Sequence, residues 1–429
     1  MLARRAFALA GAGKRCASGG VGTVSVKGGE PARASGHMKS SDAIAVPIVQ
    51  TAAYTFKDSQ QLIDFNEGRY PSYEYGRYGN PTVRAVEQKM MELEGAEDCL
   101  ASTSGMYTAV SMMMALLPEG SRVITTTDCY RRTRQFLNTV INKMGVTNVV
   151  IPPGDLDALR CEVQRGAAMF FSESPSNPML RCVDIPAASQ ICRAAGTILC
   201  IDGTFSTPYN QRPLDLGADI VIHSATKYLA GHHDVLAGVL AGRKDLVEQV
   251  RALHGVMGGV LDPHAAYLLL RGLKTLHLRV ARQNASAEAL ARMLHAHPKV
   301  KKTIYPSLPH HPDHAYATAQ ARGFGGVVSF ELHGGLHAGA MFTDTLQMPH
   351  IAPSLGGCDS LVEQPTIISY WNVPPDERNE IGIQDGLIRF ACGVEETDDI
   401  LADVARALEL LDVEKQYLKD THEAWRIKG

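Results

Sequence analysis

The sequence predicts an α/β fold, with a mostly parallel sheet between layers of helices and a smaller α/β domain behind it. Three observations support this prediction. Short apolar runs alternate with helical patterns along the middle of the chain, which is typical of parallel sheets covered on both faces. Residues able to do chemistry follow the ends of these runs. A long helical stretch then leads into further strand signals near the C-terminus.

The elements can be placed in order by their periodicity. Residues 83–94 carry apolar side chains at intervals of three and four and predict a helix. The Asp262-Pro263 pair predicts the start of a long helix, with Asp as the N-cap and Pro in the first turn, and Gly272 predicts a bend. The other predicted helices cover residues 133–144, 187–195 and 398–411, and the predicted strands cover 122–126, 148–151, 168–171, 198–201, 220–222, 327–332 and 387–390.

Length and composition exclude several classes of protein. The chain has 429 residues, 45% of them hydrophobic, which is enough for two or three domains with a large core. A net charge of −3 without an extended basic stripe argues against nucleic acid as the main partner. No apolar run approaches the roughly 20 residues of a membrane helix. The nine cysteines are scattered, so we predict neither a metal site nor a disulfide framework.

The N-terminal segment differs from the rest of the chain. Residues 1–20 contain Arg4, Arg5, Lys14 and Arg15, and the first acidic residue is Glu30. A basic, acid-free opening is typical of organelle transit peptides, and a disordered tail is the other interpretation. Residues 21–81 are rich in aromatic and polar residues, show no sustained helical period and predict an arm.

Lys227 and Asp202 are the central candidates for catalysis. Each follows an apolar run that predicts a buried strand, and ligands of such sheets bind at the carboxyl ends of the strands. A lysine in this position can form an imine with a carbonyl cofactor. A carboxylate opposite it can keep the pyridine ring of pyridoxal phosphate protonated. A surface lysine after a strand is the competing interpretation for Lys227 alone.

Other segments supply candidate groups for the same ligand. Gly105 and Met106 begin an apolar helical segment, where free backbone N–H groups attract anions, and Ser224 and Thr226 add hydroxyls to a possible phosphate site. An ordinary N-cap is the other interpretation. The remaining candidates, each with a structural role as its alternative, are Asn177 as a donor to the cofactor, Tyr130 as a stacking ring, Arg77 for phosphate, and Arg389 for a substrate carboxylate.

Together these segments resemble the Cys/Met-metabolism family of pyridoxal-phosphate enzymes, which have fold type I. The resemblance spans residues 23–411. Three segments are most similar to the plant-type cystathionine γ-synthases of the family: DCYRRTR, the strand residues around Phe330, and IAPSLGGCDSLVEQPTIISYW. The family's motifs occur in its own order, as YGRYGNPT, SGM, DCYRRTR, ESPSNP, DGTFSTP, HSATKYLAGHHDVLAG, APSLGGCDS and LIRFACGVE.

The resemblance implies a fold, a domain division and an assembly. The fold would be a mostly parallel seven-stranded sheet between helices, with residues 82–280 as the cofactor domain and 281–429 as the C-terminal domain. The arm, residues 21–81, would reach a neighbouring active site in a homotetramer built as a dimer of dimers. Plant-type members are plastidial, so we expect a plastid rather than a mitochondrion, with the cytoplasm left open.

The resemblance also implies a role for each site residue. Lys227 would bond to the cofactor, and Asp202 would pair with its ring nitrogen. The substrate carboxylate would be bound by Arg389 and Ser354. The further roles are Thr204 under the ring, Tyr130 stacked on it, Asn177 at its phenolic oxygen, Gly105, Met106, Ser224 and Thr226 around the phosphate, and Tyr75 and Arg77 completing that phosphate site from another subunit.

The implied reaction is a γ-replacement that joins cysteine to an activated homoserine ester and gives cystathionine. Many bacterial members carry Gly-Gly after the stacking tyrosine, where this chain has Arg131 and Arg132. We therefore expect Arg132 to bind a phosphate leaving group and O-phosphohomoserine to be the donor. Pro353 stands where many relatives have an acidic residue, which disfavours a γ-lyase. Cystathionine γ-lyase, methionine γ-lyase and homoserine-ester sulfhydrylase activities remain the alternatives.

Overall fold

The computed structural model describes residues 20–29 and 43–418. Within those residues the chain forms two sheets, one of seven strands and one of five, each packed against helices. The predicted transit peptide lies outside the described residues, apart from Gly20. No helix in the described ranges is both long enough and apolar enough to cross a membrane.

The large sheet has the order β1-β7-β6-β5-β4-β2-β3. Its strands are β1 (Asp98–Ser102), β2 (Arg122–Thr126), β3 (Thr147–Ile151), β4 (Met169–Glu173), β5 (Ile198–Asp202), β6 (Ile220–Ser224) and β7 (Gly238–Gly242). β7 runs antiparallel to both of its neighbours, and the other pairings are parallel. The predicted seven-stranded, mostly parallel sheet is confirmed, although the sequence pattern did not indicate β1 or β7.

Helices cover both faces of this sheet. They are α3 (Pro81–Glu94), α4 (Gly105–Leu116), α5 (Arg131–Thr139), α6 (Leu156–Gln164), α7 (Ile185–Ala194), α8 (Thr207–Asn210), α9 (Lys244–Met257) and α10 (Pro263–Leu273). One apolar layer contains Met112 and Met113 of α4, and a second contains Leu159 and Ile185 on the opposite side. Both layers exclude water from the strands, so polar groups of the sheet are reachable mainly at its ends.

Two predictions of local structure were wrong. The described parts of residues 21–81 contain two helices, α1 (Val21–Lys27) and α2 (Ser59–Asn66). Residues 133–144 are divided between α5 and a 3-10 turn, Ile141–Met144. The ammonium of Lys89 donates to the carbonyl oxygens of Ser25 at 3.0 Å and Val26 at 3.1 Å, near the end of α1. A helix this short depends on such tertiary contacts more than on its own periodicity.

The small sheet has the order β10-β11-β12-β9-β8. Its strands are β8 (Val300–Ile304), β9 (Val327–Leu332), β10 (His350–Ile351), β11 (Leu361–Glu363) and β12 (Leu387–Ala391). The helices of this part are α11 (Leu276–His295), α12 (His314–Gln320), α13 (Gly335–Thr345), α14 (Pro365–Ile368), α15 (Pro375–Glu380) and α16 (Thr397–Leu410). Asp262 caps α10, as predicted. The helical stretch is interrupted between α10 and α11, next to Gly272, where the sequence predicts a bend. The proposed boundary at residues 280 and 281 falls inside α11, so the domain division stays a prediction.

Candidate active site

The candidate residues gather where the large sheet faces the small one. β4, β5 and β6 end in Glu173, Asp202 and Ser224, and each polar end extends the predicted apolar run. From the small sheet, β11 and β12 contribute Glu363 and Arg389, which are paired across the strands. The arrangement brings an amine, carboxylates, hydroxyls and a guanidinium into one region between the sheets.

Lys227 lies in the turn after β6. Its Nζ donates to the hydroxyl oxygen of Ser354, at 2.8 Å, which links the two parts of the chain. Burial lowers the pKa of Lys227 to about 8, with a further lowering by the charge of Arg389 and an opposing effect of Glu363. The neutral fraction of this amine near physiological pH is therefore far larger than that of an ordinary lysine, as a nucleophile or general base requires.

Asp202 is held in place by Thr204. The backbone N–H of Thr204 donates to Oδ1 of Asp202 at 2.9 Å, and its hydroxyl donates to the same oxygen. The Thr204 hydroxyl in turn accepts from the backbone N–H of Ser224, at 2.8 Å. Burial raises the pKa of Asp202, and the two Thr204 hydrogen bonds oppose that rise. The chain Asp202–Thr204–Ser224 therefore connects the ends of β5 and β6.

Glu173 is a second buried carboxyl group beside Asp202. The two residues are opposite each other on the adjacent parallel strands β4 and β5. Burial, and then the charge of Asp202, raise the pKa of Glu173 well above its usual range. The backbone N–H of Tyr130 donates to Glu173. Because two neighbouring buried carboxylates repel, Glu173 is the more readily protonated of the two, while the Thr204 donors favour the charged form of Asp202.

The N-terminus of α4 packs directly on the end of β6. A Cβ atom at Gly105 would lie 2.8 Å from both Cα and Cβ of Ser224, so only glycine allows this approach. Ser104 caps the helix through the backbone N–H of Tyr107. The first N–H groups of α4, including that of Met106, therefore lie close to the Ser224 and Thr226 segment.

Arg389 is almost fully buried, with 4% of the residue exposed. Its Nη1 donates to Oδ1 of Asn177 at 3.0 Å and forms an ion pair with Oε1 of Glu363, also at 3.0 Å. Its Nη2 donates to the carbonyl oxygen of Ser354 at 2.6 Å. Its Nε has no hydrogen-bond partner among the described residues. A guanidinium with one such free N–H can donate a hydrogen bond to an additional anionic ligand.

Tyr130 and the arginines after it lie at the start of α5. The Tyr130 side chain is 42% exposed, which leaves its ring available to a ligand. Arg132 donates to Gln135 on its own helix, at 2.8 Å, and within the described residues no hydrogen bond joins it to the other candidates. Arg131 donates to the carbonyl oxygen of Ser369. The role of Arg132 thus stays a prediction.

Tyr75 and Arg77 belong to the arm, and within the described residues no hydrogen bond or ion pair joins them to Lys227. The guanidinium of Arg77 lies over the rings of Tyr75 and Tyr78, and its Nη1 donates to the carbonyl oxygen of Gly255 at 2.6 Å. Both tyrosines are more than two fifths exposed. This placement is compatible with a contribution to a neighbouring subunit, which stays a prediction.

The sequence interpretation missed the roles of Glu173, Glu363 and Tyr370. Glu173 follows an apolar run directly and could have been identified by the same reasoning as Asp202. Glu363 could not, because β11 is short and its pairing with β12 leaves no periodic signal. Tyr370 is buried near Arg134 and Glu173, and that burial raises the pKa of its hydroxyl. The described residues contain no group of three or more His, Cys, Asp or Glu placed to hold a metal ion.

The donor set fits pyridoxal phosphate. An amine of lowered pKa and a carboxylate leave adjacent strands, as the aldehyde and the ring nitrogen require. The close contact of Gly105 with Ser224 supplies helix N–H groups and hydroxyls for a phosphate. These features belong to one continuous region of the structure.

Comparisons with known proteins agree with this arrangement. Residues 23–409 match the model of the family described as Cys/Met metabolism PLP-dependent enzyme. In the solved structures, the chain is similar to metB from Corynebacterium glutamicum, with a TM-score of 0.83 and 32% identity, covering 91% of this chain and 98% of that one.

Curated relatives include synthases and lyases. Cystathionine gamma-synthase 1, chloroplastic, of Arabidopsis thaliana is 53% identical over 86% of this chain, and the chain spans 66% of that protein's length. The Nicotiana tabacum protein of the same name is 52% identical, over 90% of this chain and 72% of that protein. L-methionine gamma-lyase of Pseudomonas putida is 40% identical, over 86% of this chain and 93% of that protein.

Proposed function

Because the chain belongs to the family of Cys/Met metabolism PLP-dependent enzymes, we propose that it is a cystathionine γ-synthase. It joins the thiol of cysteine to the γ-carbon of an activated homoserine ester in methionine biosynthesis. The observation that carries the proposal is the contact of Lys227 with Ser354, which places the amine beside the carboxylate-binding Arg389. The names of the synthase relatives, at 48–53% identity, select this activity within the family.

Pyridoxal phosphate, when bound, supplies the electron sink that makes the α- and β-hydrogens of the substrate acidic. Lys227 holds the cofactor by its aldehyde and then moves protons, since its lowered pKa provides neutral amine at working pH. Asp202 maintains positive charge on the ring nitrogen through a charge-assisted hydrogen bond. Glu173, which keeps its proton, leaves that task to Asp202.

Substrate orientation is the task of groups from the small sheet. Arg389 binds the α-carboxylate, and Ser354 assists from the same edge. Tyr130 stacks on the cofactor ring, with its backbone anchored on Glu173. Asn177 touches the phenolic oxygen of the cofactor while also accepting from Arg389. Gly105, Met106, Ser224 and Thr226 bind the cofactor phosphate.

The donor in this proposal is O-phosphohomoserine. Arg132 lies in the first turn of α5, two residues after Tyr130, and we infer that its guanidinium binds the leaving phosphate. Succinyl and acetyl esters carry less charge at that place, and a guanidinium discriminates in favour of the phosphate dianion.

The assembly is a homotetramer in which Tyr75 and Arg77 complete the phosphate site of an adjacent subunit. The exposure of the Tyr75 ring and the position of Arg77 over it support this. The compartment is the plastid, supported by the chloroplastic names of two relatives. Imaging a fluorescent fusion of the full chain tests the compartment.

A matrix assay tests the activity. The cofactor-loaded protein is given each of the phosphoryl, succinyl and acetyl esters of homoserine, combined in turn with cysteine, with sulfide, or with no thiol, and separately given cystathionine or methionine alone. We expect cystathionine from the phosphoryl ester with cysteine, and a loss of the phosphoryl preference in Arg132→Ala. Equal use of all esters would contradict the donor assignment, and faster cleavage of cystathionine or methionine would favour a lyase.

A further inference from the structure

Glu363 is a buried carboxylate that no step of the proposed reaction uses. It ends β11, and only 3% of the residue is exposed. It lies opposite Arg389 in the strand register, and its Oε1 is 3.0 Å from Nη1 of that arginine. The guanidinium assigned to the substrate carboxylate therefore already faces a carboxylate supplied by the protein itself.

The remaining donors of Arg389 show how a second carboxylate could be accommodated. Nη1 and Nη2 bind Asn177 and Ser354, whereas Nε is buried without a hydrogen-bond partner among the described residues. An arriving α-carboxylate can occupy Nε and compete for Nη1. It would then lie beside Glu363 in a region from which water is largely excluded.

Two charged carboxylates beside one buried guanidinium repel each other, and keeping both charged there costs free energy. The charged and titratable groups that face Glu363 are Arg389 on β12, Lys227 in the turn after β6 and Tyr370 after α14. Of these, Lys227 has a lowered pKa, so less positive charge on its amine is present to neutralise a second carboxylate. Burial raises the pKa of Glu363, with Arg389 and Lys227 opposing the rise. The protonation of Glu363 is thus the least costly way to admit a second anion.

We propose that Glu363 is the counter-ion of Arg389 in the empty site and takes up a proton from solvent when an α-carboxylate binds. Substrate binding is therefore coupled to proton uptake, and Glu363 makes the affinity for amino-acid substrates depend on pH. No bond to the substrate forms or breaks in this step, in which a carboxylate and a solvent proton become a carboxylic acid. The proposal rests on the carboxylate-binding role of Arg389.

Calorimetry on the cofactor-loaded protein tests the coupling. The probe is 4-hydroxybutanoate, the skeleton of homoserine without its amine, which binds by its carboxylate and cannot bond to the cofactor. Titrations in two buffers of different ionisation enthalpy give the number of protons taken up per site. We expect uptake in the parent, approaching one proton, and an affinity that falls by up to about tenfold per pH unit as the free site ionises.

Three variants separate the possible outcomes. Glu363→Gln should bind the probe several-fold more tightly at pH 8 and take up no proton. Glu331→Gln, on neighbouring β9 with its carboxylate paired to Lys301, is the matched control and should behave as the parent. Arg389→Leu should abolish binding.

Absence of proton uptake in the parent, or equal uptake in Glu363→Gln, would overturn the proposal about Glu363 alone. Failure of the parent to bind the probe, or unchanged binding in Arg389→Leu, would overturn the carboxylate site and, with it, that part of the proposed function. Because the parent's own buffer and pH dependence suffices, the test stands even where Glu363→Gln does not fold.

Discussion

Lys227 and Ser354 meet across the cleft, with 2.8 Å between the amine nitrogen and the hydroxyl oxygen. Ser354 has a φ angle of +144°, which residues with side chains rarely adopt. Its carbonyl oxygen accepts a 2.6 Å hydrogen bond from Arg389, so the arginine holds the residue in this conformation. Backbone strain of this kind persists where surrounding contacts maintain it, commonly at functional sites.

A pair of substitutions separates the strain from the hydroxyl. Ser354→Ala and Ser354→Gly both remove the contact with Lys227 and should lose similar amounts of kcat/KM. Glycine adopts the observed φ without strain, so Ser354→Gly should be more stable than Ser354→Ala by about 1–3 kcal/mol. Denaturant unfolding and steady-state kinetics measure the two effects. Equal stability of the two variants would contradict strain at this position.

The acidity of Lys227 predicts how its reactivity depends on pH. In the cofactor-free protein, acylation of Lys227 should reach half its maximal rate near pH 8, because burial and Arg389 disfavour the ammonium. Arg389→Leu should move this midpoint upward, and Glu363→Gln should move it downward, since Glu363 stabilises the charged form. Competitive labelling read by mass spectrometry gives the midpoints, with the exposed Lys244 as internal reference for the reagent.

The same pKa shift predicts a stability change with a definite sign. The folded-state pKa of about 8 lies below the ordinary value of 10.5, so between these two pH values the unfolded chain binds more protons. This lysine therefore lowers stability below pH 8, and its unfavourable contribution disappears as the pH rises toward 10.5. In the cofactor-free protein, Lys227→Met should be more stable than the parent at pH 7, and the difference should shrink by pH 10. A constant difference would contradict the shift.

Glu173 and Asp202 should respond in opposite ways to loss of their charge. Glu173 keeps its proton, so Glu173→Gln preserves its state and should change kcat/KM by less than about threefold. Asp202→Asn removes the charge that holds the ring nitrogen protonated and should cost at least about a hundredfold. Glu173→Gln and Asp202→Asn each replace a buried carboxyl group by an amide of the same size, so each variant is the control for the other. A large loss in Glu173→Gln with little loss in Asp202→Asn would reverse the assignment of the proton.

The residues predicted from the sequence were those attached to strong local patterns. Asp202 and Ser224 end apolar runs, and the parallel sheet follows from the alternation of those runs with helices. Glu363 and the short helix Val21–Lys27 left no such signal. Glu363 is positioned by its contact with Arg389, and the short helix by its contact with Lys89. Both partners are distant in sequence, so the helix and strand propensities of neighbouring residues cannot predict these contacts. The strand β7 was missed because its five residues, Gly238–Gly242, are bounded by glycines and show no alternation of apolar and polar side chains.

A buried pair next to the site should contribute strongly to stability. Nε2 of His223 on β6 lies 2.6 Å from Oε1 of Glu94 at the end of α3, and both side chains are at most 1% exposed. Glu94→Ala would leave a buried imidazole without this hydrogen-bond partner and should cost about 1–3 kcal/mol in urea unfolding. The matched control is Glu248→Ala on α9, whose exposed pair with Lys244 is 3.7 Å long and should contribute at most about 1 kcal/mol. Equal losses in the two variants would contradict this ranking.

Gly105 should be the glycine on which cofactor affinity depends most. A Cβ there would be 2.8 Å from the backbone and side chain of Ser224, so Gly105→Ala must push α4 away from the end of β6. The helix N–H groups would then lose their alignment with the phosphate, and we expect the affinity for pyridoxal phosphate to fall by at least about tenfold. Reconstitution of cofactor-free protein, followed by visible absorbance, measures it. Unchanged affinity in Gly105→Ala would mean that the phosphate does not bind between α4 and Ser224.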